Sequence, residues 1–397
     1  ACIDDERLIV ESQEKTTDAS IPWYPQYDST TEDYIRVGST VDGLTGVLGY
    51  SYSDYRLFVT KKDVTKDNFT DNNRPPSSSL RDGDIVLASF NASDVMTTDA
   101  NFDLQVAKIA KALAELNADI IGLTDIENNG FESGSAIYAI LDKLNEAFSD
   151  DAQKYSIALS DTWADSVGNS ELANFIFFRE SKLEVKDVAD FTLPYQKYSS
   201  KDSNTMANSI VASFNVIATK ERKHAHAINI VVNDLIGRDS QCTEDSGDNN
   251  QGGCATLRIT AADYIGKQLN GKLGHKILLG NFNSYKKETA IAVLAEKKLP
   301  QNKTVSSAQD TYILDSEGNE TELPNYEINK THQYLNATSW LKQDSYTYAD
   351  GELVGTTGYI LMSPSLKRYI QDAKAWSVNA AESEFVLSDI NSDNASR

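Results

Sequence analysis

The chain has 397 residues, 40% hydrophobic and 24% charged, with a mean hydropathy of -0.43: room for two or three ordinary domains, or one large layered domain with an appendage. No stretch approaches the roughly 18 uninterrupted apolar residues of a spanning helix, which excludes a helical membrane protein. Asp and Glu number 59 against 37 Lys and Arg, a net charge of -22. Phosphate binding draws on Lys and Arg, so this balance argues against nucleic acid as a partner. The acids are scattered, which reads as solubility in a salty medium rather than as an acidic tail. Residues Ala1 to Glu6 lack the basic start and apolar run of a secretion signal, so an exported form is expected to be a processed one.

In chain order, Arg36 to Tyr50 mixes β-branched residues with turn glycines, and Tyr55–Val59 reads as a further strand, the texture of a small β-barrel. A seam rich in Pro and Ser follows at Asp71–Ser79. Beyond it strands alternate with helices. Strands are expected at Asp84–Asn91, Asp119–Leu123, Asn174–Phe178, Ala227–Val232 and Lys276–Gly280, and helices at 104–116, 136–148 and 257–269. That alternation predicts a layered α/β domain.

Cys242 and Cys254 bracket a polar loop. A disulfide there would stabilise by about 3 kcal/mol on the chain-entropy model and belongs to an oxidising compartment; the alternative is a pair of unpaired loop thiols. Cys2 has no evident partner, and zinc-ligand spacings are absent.

Several strand ends carry recognisable phrases: Ala88-Ser89-Phe90-Asn91, Gly122 to Gly130, and Gly280-Asn281-Phe282-Asn283-Ser284-Tyr285, preceded by Val41 to Leu48 with Tyr55-Arg56. On these the chain resembles the secreted bacterial nucleases of the endonuclease/exonuclease/phosphatase superfamily, the fold of pancreatic deoxyribonuclease. The resemblance implies a four-layer α/β sandwich over residues 82–397, a linker at 73–81, and a partial OB-like β domain over 1–72. It also implies the Cys242–Cys254 disulfide loop, leading into a helix that bears Arg258.

Phosphodiester hydrolysis needs carboxylates to hold Mg²⁺ or Mn²⁺ and a titratable group near neutral pH to handle the proton of water. Against the family pattern, Asn91 is kept and Asp125 stands for the metal-binding Glu. The general His falls at Asp234, and two lysines at Ile236 and Arg238. Gly-Asp-x-Asn reads Gly280-Asn281-Phe282-Asn283, which turns the Asp into Asn281 and keeps Asn283. The later Leu-Asp-His phrase aligns with Thr357-Gly358-Tyr359, and Ser377 follows Trp376 where the family has His. The closing Ser-Asp-His-Asp-Pro strand is missing from this chain, which thereby lacks the family's last strand. None of His224, His226, His275 and His332 falls on a catalytic position. The remnant positions are therefore Asn91, Asp125, Asp234, Asn281, Asn283, Gly358 and Tyr359, with Asn91, Asp125 and Asn283 left as a weak oxygen-ligand site for Mg²⁺ or Ca²⁺.

Other features have ordinary readings. His224 and His226 share one face of a strand, an exposed pair more readily than a metal site. Glu127 to Gly130 fits a family loop or a plain turn equally. Asp239 to Asp248 reads as a solvated acidic loop, since EF-hand spacing is lacking. Asn-x-Ser/Thr sequons stand at Asn68, Asn91, Asn302, Asn319, Asn329, Asn336 and Asn394, with Asn91 expected at a buried strand end.

The expected function is non-catalytic: a secreted or cell-surface protein that reuses the scaffold for binding or assembly and requires no cofactor. The chain's ends, inside the β domain and short of the last strand, fit a trimmed piece with exposed sheet edges open to self-association or another surface protein. The competing readings are a weak divalent-metal-dependent extracellular nuclease or phosphodiesterase, and DNA binding without cleavage in an extracellular matrix.

Overall fold

A computed structural model describes residues 8–12, 37–59, 64, 66–70, 85–197, 203–217, 227–243, 251–300, 304–315, 317–341, 346–350 and 353–376. They fall into two units divided at Pro76–Ser77. The Pro/Ser seam, Cys2, His224, His226, Asn302, Asn394 and residues 244–248 of the acidic loop lie outside the described residues.

In the first unit, β1 (Ile9–Ser12) pairs in parallel with β3 (Asp54–Val59), which also forms a hairpin with β2 (Gly46–Ser51). Tyr52 and Ser53 make the two-residue hairpin turn with φ of 53° and 68°. Positive φ at both positions is the backbone whose twist matches the strands it joins. Tyr50 and Tyr55 pair across the ladder, ring centroids 5.0 Å apart. Arg56 reaches β1 through Glu11 at 2.7 Å.

The second unit holds β4 (Leu87–Val95), β5 (Ile120–Glu127), β6 (Ser156–Ile157) and β7 (Leu172–Phe178) in one sheet of order β4-β5-β7-β6. A second sheet contains β8 (Leu183–Phe191), β9 (Ser209–Val216), β10 (Ala227–Asp234), β11 (His275–Asn281), β12 (Leu335–Asn336) and β13 (Gly358–Met362), in the order β8-β9-β10-β11-β13-β12. The pairs β4–β5 and β10–β11 are parallel, and the other neighbours antiparallel. The near-continuous apolar run of β5 is what a strand buried on both faces requires.

Helices cover the outer faces. The apolar stripe of α1 (Phe102–Leu116) at Val106, Ile109, Ala110 and Leu113 packs with that of α2 (Ala136–Asn145) in one core, shared with Ile120, Phe177, Phe214, Ile230 and Leu279 of both sheets. A second core joins α3 (Ala255–Gln268) and α4 (Thr289–Ala295) to Val231, Leu278 and Leu361 on the other face of the second sheet. The layers run helix, sheet, sheet, helix, so the expected four-layer α/β sandwich is present in this unit. A smaller sheet has the strand order Ser203–Asn204, Tyr195–Lys197, Thr311–Leu314, Glu320–Leu323, all neighbours antiparallel. Cys242 and Cys254 are joined by a disulfide, with Cys254 immediately preceding α3.

Gly122 sits where the two sheets approach closely. A Cβ there would stand 2.9 Å from Val232 Cγ2 and 3.0 Å from Leu279 Cδ1. Gly122→Ala is therefore expected to destabilise by about 1–3 kcal/mol through overpacking. A urea-unfolding midpoint that does not move would show that the sheets are more loosely apposed.

Candidate functional site at the strand ends

Parallel pairing delivers the remnant positions to one end of each sheet. In the second sheet Asp234 pairs with Asn281, and Asn281 with Gly358. In the first sheet Asn91 pairs with Thr124, next to Asp125. Both of those strands are irregular there. The register of β4 shifts between Asn91 and Val95, where Ser93 and Asp94 have φ of 58° and 57°. The register of β5 shifts relative to β7 between Leu123 and Ile126, where Asp125 has φ of 62°. Bulges of this kind re-aim side chains at the open end of a sheet. They also correct one expectation: Asn91 is exposed, not buried, because β4 bends away into its bulge directly after it.

The polar groups at this end are largely spent on one another. Asn91 Nδ2 donates to Asp125 Oδ2 at 2.5 Å, while Asn91 Oδ1 accepts from Ser93 N at 2.7 Å. Asn283 Nδ2 donates to Leu235 O at 2.5 Å, and its backbone N–H donates to Asn281 Oδ1 at 3.2 Å. Of the three expected cation ligands, then, Asn91 and Asp125 are brought together, whereas Asn283 is anchored to the β10 end. Glu127 accepts from Thr97 N and Thr97 Oγ1, both at 2.6 Å, and from Asn129 Nδ2 at 2.8 Å. Asn129 Oδ1 in turn accepts from Ala136 N at the start of α2, at 3.0 Å. The Glu127–Gly130 segment is thus tied into the fold by its side chains.

Electrostatics mark Asp234 as the unusual group. Burial first, then the neighbouring charge of Asp125, a hydrogen bond shared with that residue, and the charge of Asp94 push its carboxyl well above the ordinary carboxylate range; Asn281 opposes them. Asp234 Oδ1 is buried with no hydrogen-bond partner among the described residues. Each of these causes disfavours the charged form of Asp234. Asp94 at the rim is also raised, by partial burial and then by Asp125, Asp99 and Glu171. Asp94 was not among the positions that the sequence singled out.

Three expected participants are elsewhere. Tyr359 points to the α3/α4 core: its ring packs edge-on against Phe282, and its hydroxyl donates to Ser284 O or Thr356 O, at 3.0 and 2.6 Å. Burial, followed by the Glu288 and Tyr285 charges, pushes this phenol far up. Ile236 is buried. Arg238 donates to both oxygens of Glu288, at 2.5 and 2.7 Å, with its guanidinium 4.5 Å above the Tyr285 ring. The partner Glu288 lies fifty positions away in sequence and gives no local signal. Of the described histidines, His275 Nδ1 lies 2.8 Å from Ser365 Oγ, at the opposite end of β11 from Asn281, and His332 Nε2 lies 3.0 Å from Asp263 Oδ1; neither joins Asn91, Asp125 and Asp234.

No protein-family model matches the chain, and no curated protein matches it. Solved structures do. An endonuclease/exonuclease/phosphatase family protein from Bacteroides thetaiotaomicron is 14% identical at a TM-score of 0.39, with 71% of this chain and 82% of that one covered. A mannosyl-6-phosphatase from the same organism is also 14% identical, at 0.37 with 71% and 86% covered. The human Nocturnin catalytic domain with a bound sulfate anion is 14% identical, at 0.38 with 73% and 88% covered.

Proposed function

We propose that the chain is a non-catalytic member of the endonuclease/exonuclease/phosphatase superfamily, exported to the cell exterior or surface and used there as a binding or assembly scaffold. The strand-end phrases and their delivery to one end of two facing sheets support the superfamily. The disulfide supports an oxidising compartment.

The observation that carries the non-catalytic reading is the Asn91 amide seated 2.5 Å from Asp125 Oδ2, on the one carboxylate expected to ligate a cation. Asp234, in the place of the family's general His, is a carboxyl whose charged form is disfavoured by burial and by the Asp125 charge. Mg²⁺ is usually held through one or two ionised carboxylates together with water and phosphate. This donor set does not fit that demand, and among the described residues no imidazole stands at the strand ends to move a proton near neutral pH. Arg238, which stands at one of the family's two lysine positions, is paired with Glu288, which also argues against DNA binding.

The test is hydrolysis of plasmid DNA and of bis(p-nitrophenyl) phosphate with Mg²⁺ or Mn²⁺, using wild type and Asp125→Ala. Background rates that are identical in the two proteins are expected. Turnover lost in Asp125→Ala would overturn the reading in favour of a metal-dependent phosphodiesterase. One observation favours that second reading: Asp94, which the sequence did not single out, lies near enough to Asp125 and Asp234 for their charges to act on one another, although among the described residues no three metal-ligating side chains stand together.

A further inference from the structure

Asparagine followed by glycine is chemically labile, because a residue without a Cβ lets its own backbone nitrogen approach the asparagine carboxamide. The chain contains two such steps, Asn129-Gly130 and Asn270-Gly271. Both asparagines are exposed, and both glycines have positive φ, 112° and 86°. Among the described residues neither glycine N–H donates a hydrogen bond. What separates the two steps is the state of the asparagine side chain.

The Asn129 carboxamide is held at both ends. Its Nδ2 donates to Glu127 Oε2 at 2.8 Å and to Thr97 Oγ1 at 3.1 Å, and its Oδ1 accepts from Ala136 N at 3.0 Å. Rotating that group to bring Cγ onto Gly130 N breaks all of these bonds. The Asn270 carboxamide, in contrast, has no hydrogen-bond partner among the described residues. It sits in the turn between α3 and β11, where Asn270 N donates to Lys267 O at 3.1 Å and Lys272 N to Leu269 O at 3.2 Å. Those bonds fix the backbone on either side of Gly271 and leave its own nitrogen unengaged. A Cβ on Gly271 would meet nothing within 4 Å beyond its chain neighbours, so the carboxamide has open space in which to turn.

We propose that Asn270 is a site of spontaneous deamidation in the folded protein and that Asn129 is protected from it. Gly271 N, on losing its proton, attacks Asn270 Cγ. The new C–N bond closes a cyclic imide, and Nδ2 leaves as ammonia carrying that proton. Water then opens the ring. Breaking the bond from nitrogen to Cγ gives aspartate; breaking the bond from nitrogen to the main-chain carbonyl carbon gives isoaspartate, with the backbone routed through Cβ. One water enters and one ammonia leaves, and no oxidant or cofactor takes part. Either product puts a carboxylate just beyond the C-terminus of α3, where the helix dipole is already negative. The site is separate from the strand ends and holds whether or not the chain hydrolyses phosphodiesters.

The test is peptide mapping by mass spectrometry on the full chain held folded at pH 8, beside a sample kept in urea. Trypsin releases the two steps in residues 268–272 and 112–143. Conversion is read as a gain of about 1 Da and, for isoaspartate, as a second chromatographic form. In the folded chain Asn270 is expected to convert at least about tenfold faster than Asn129, where the hydrogen bonds have to open first. In urea the two rates are expected to converge. Gly271→Ala, with thermal melts to check its folding, is expected to slow the reaction at Asn270 and leave Asn129 unchanged. Equal rates in the folded chain, faster conversion at Asn129, an undiminished rate in Gly271→Ala, or a gap that persists in urea would each overturn the proposal.

Discussion

Replacing Arg258 with methionine is expected to destabilise the α/β unit by about 3–5 kcal/mol. The side chain is 1% exposed. Its guanidinium donates to Gly253 O at 2.5 Å, Gln251 O at 2.7 Å and Gly237 O at 3.1 Å, with Ile236 O and Gly252 O at 3.4 Å. These carbonyls belong to the residues just after β10 and to the last residues inside the disulfide loop before α3, so one planar cation organises the path from the strand end to the helix. Methionine fills much of the same volume and offers no donor, leaving buried carbonyls without partners. Arg258→Lys is expected to recover only part of the loss, because an ammonium lacks the five-donor fork. Urea unfolding of the two variants decides the matter: a loss below about 1 kcal/mol in Arg258→Met would mean that the carbonyls find other donors.

Asp234→Asn should act in the opposite direction, and only above the acid range. Burial and the Asp125 charge raise the carboxyl in the folded state above its usual value of 3.8. The native protein therefore binds that proton more tightly than the unfolded chain does. Linkage then makes stability fall as pH climbs from the ordinary carboxylate value towards the raised native one. An amide of the same shape cannot ionise. The variant is expected to gain about 1–4 kcal/mol at pH 8, the range found when buried charge is replaced, and to gain little at pH 4. Asp94 shifts in the same direction and remains in place, so the pH slope should shrink without vanishing. Melting curves at pH 4, 6 and 8 give the answer. Parallel curves for wild type and variant would mean that the Asp234 carboxyl is not raised in the folded protein.

Elements with a regular apolar period were legible in the sequence to within a few residues. The stripe Val106, Ile109, Ala110, Leu113 predicts a helix over 104–116, which the structure extends to 102–116, and the apolar runs of β5, β10 and β11 announce those strands. Those with mixed signals were not. In β9 the alternation is interrupted by Ser209 and Ser213, which are accommodated because Ser209 Oγ donates to Asn233 Oδ1 at 2.7 Å and Ser213 Oγ to Asn229 Oδ1 at 2.8 Å, both across the ladder to β10. The charged β8 carries a bulge between Val185 and Asp187 that breaks its period. With seven and five residues, α4 and β13 are too short for periodicity to separate from background.

The site was half legible for a similar reason. Strand-end residues can be placed from motif order, so Asn91, Asp125, Asp234 and Asn281 arrive where the phrases put them. Asp94 joins them only through consecutive left-handed residues in β4, a backbone feature with no glycine to advertise it. Tyr359 leaves them because side chains alternate along β13, and the position beside Gly358 faces the opposite core. The contacts Arg238–Glu288 and His332–Asp263 join residues far apart in the chain, and composition around each is unremarkable.

Gly280 gives the strand margin a further property. With φ at 123° and the position of a would-be methyl carbon only 1.9 Å from Asn233 O, it clamps β11 against β10 one rung before the end of their ladder. Sliding the two strands would forfeit that approach, so whichever residues occupy 234, 281 and 358 are presented side by side. An engineer seeking to install a proton-relay couple here needs to exchange side chains alone and can leave the chain trace as it stands.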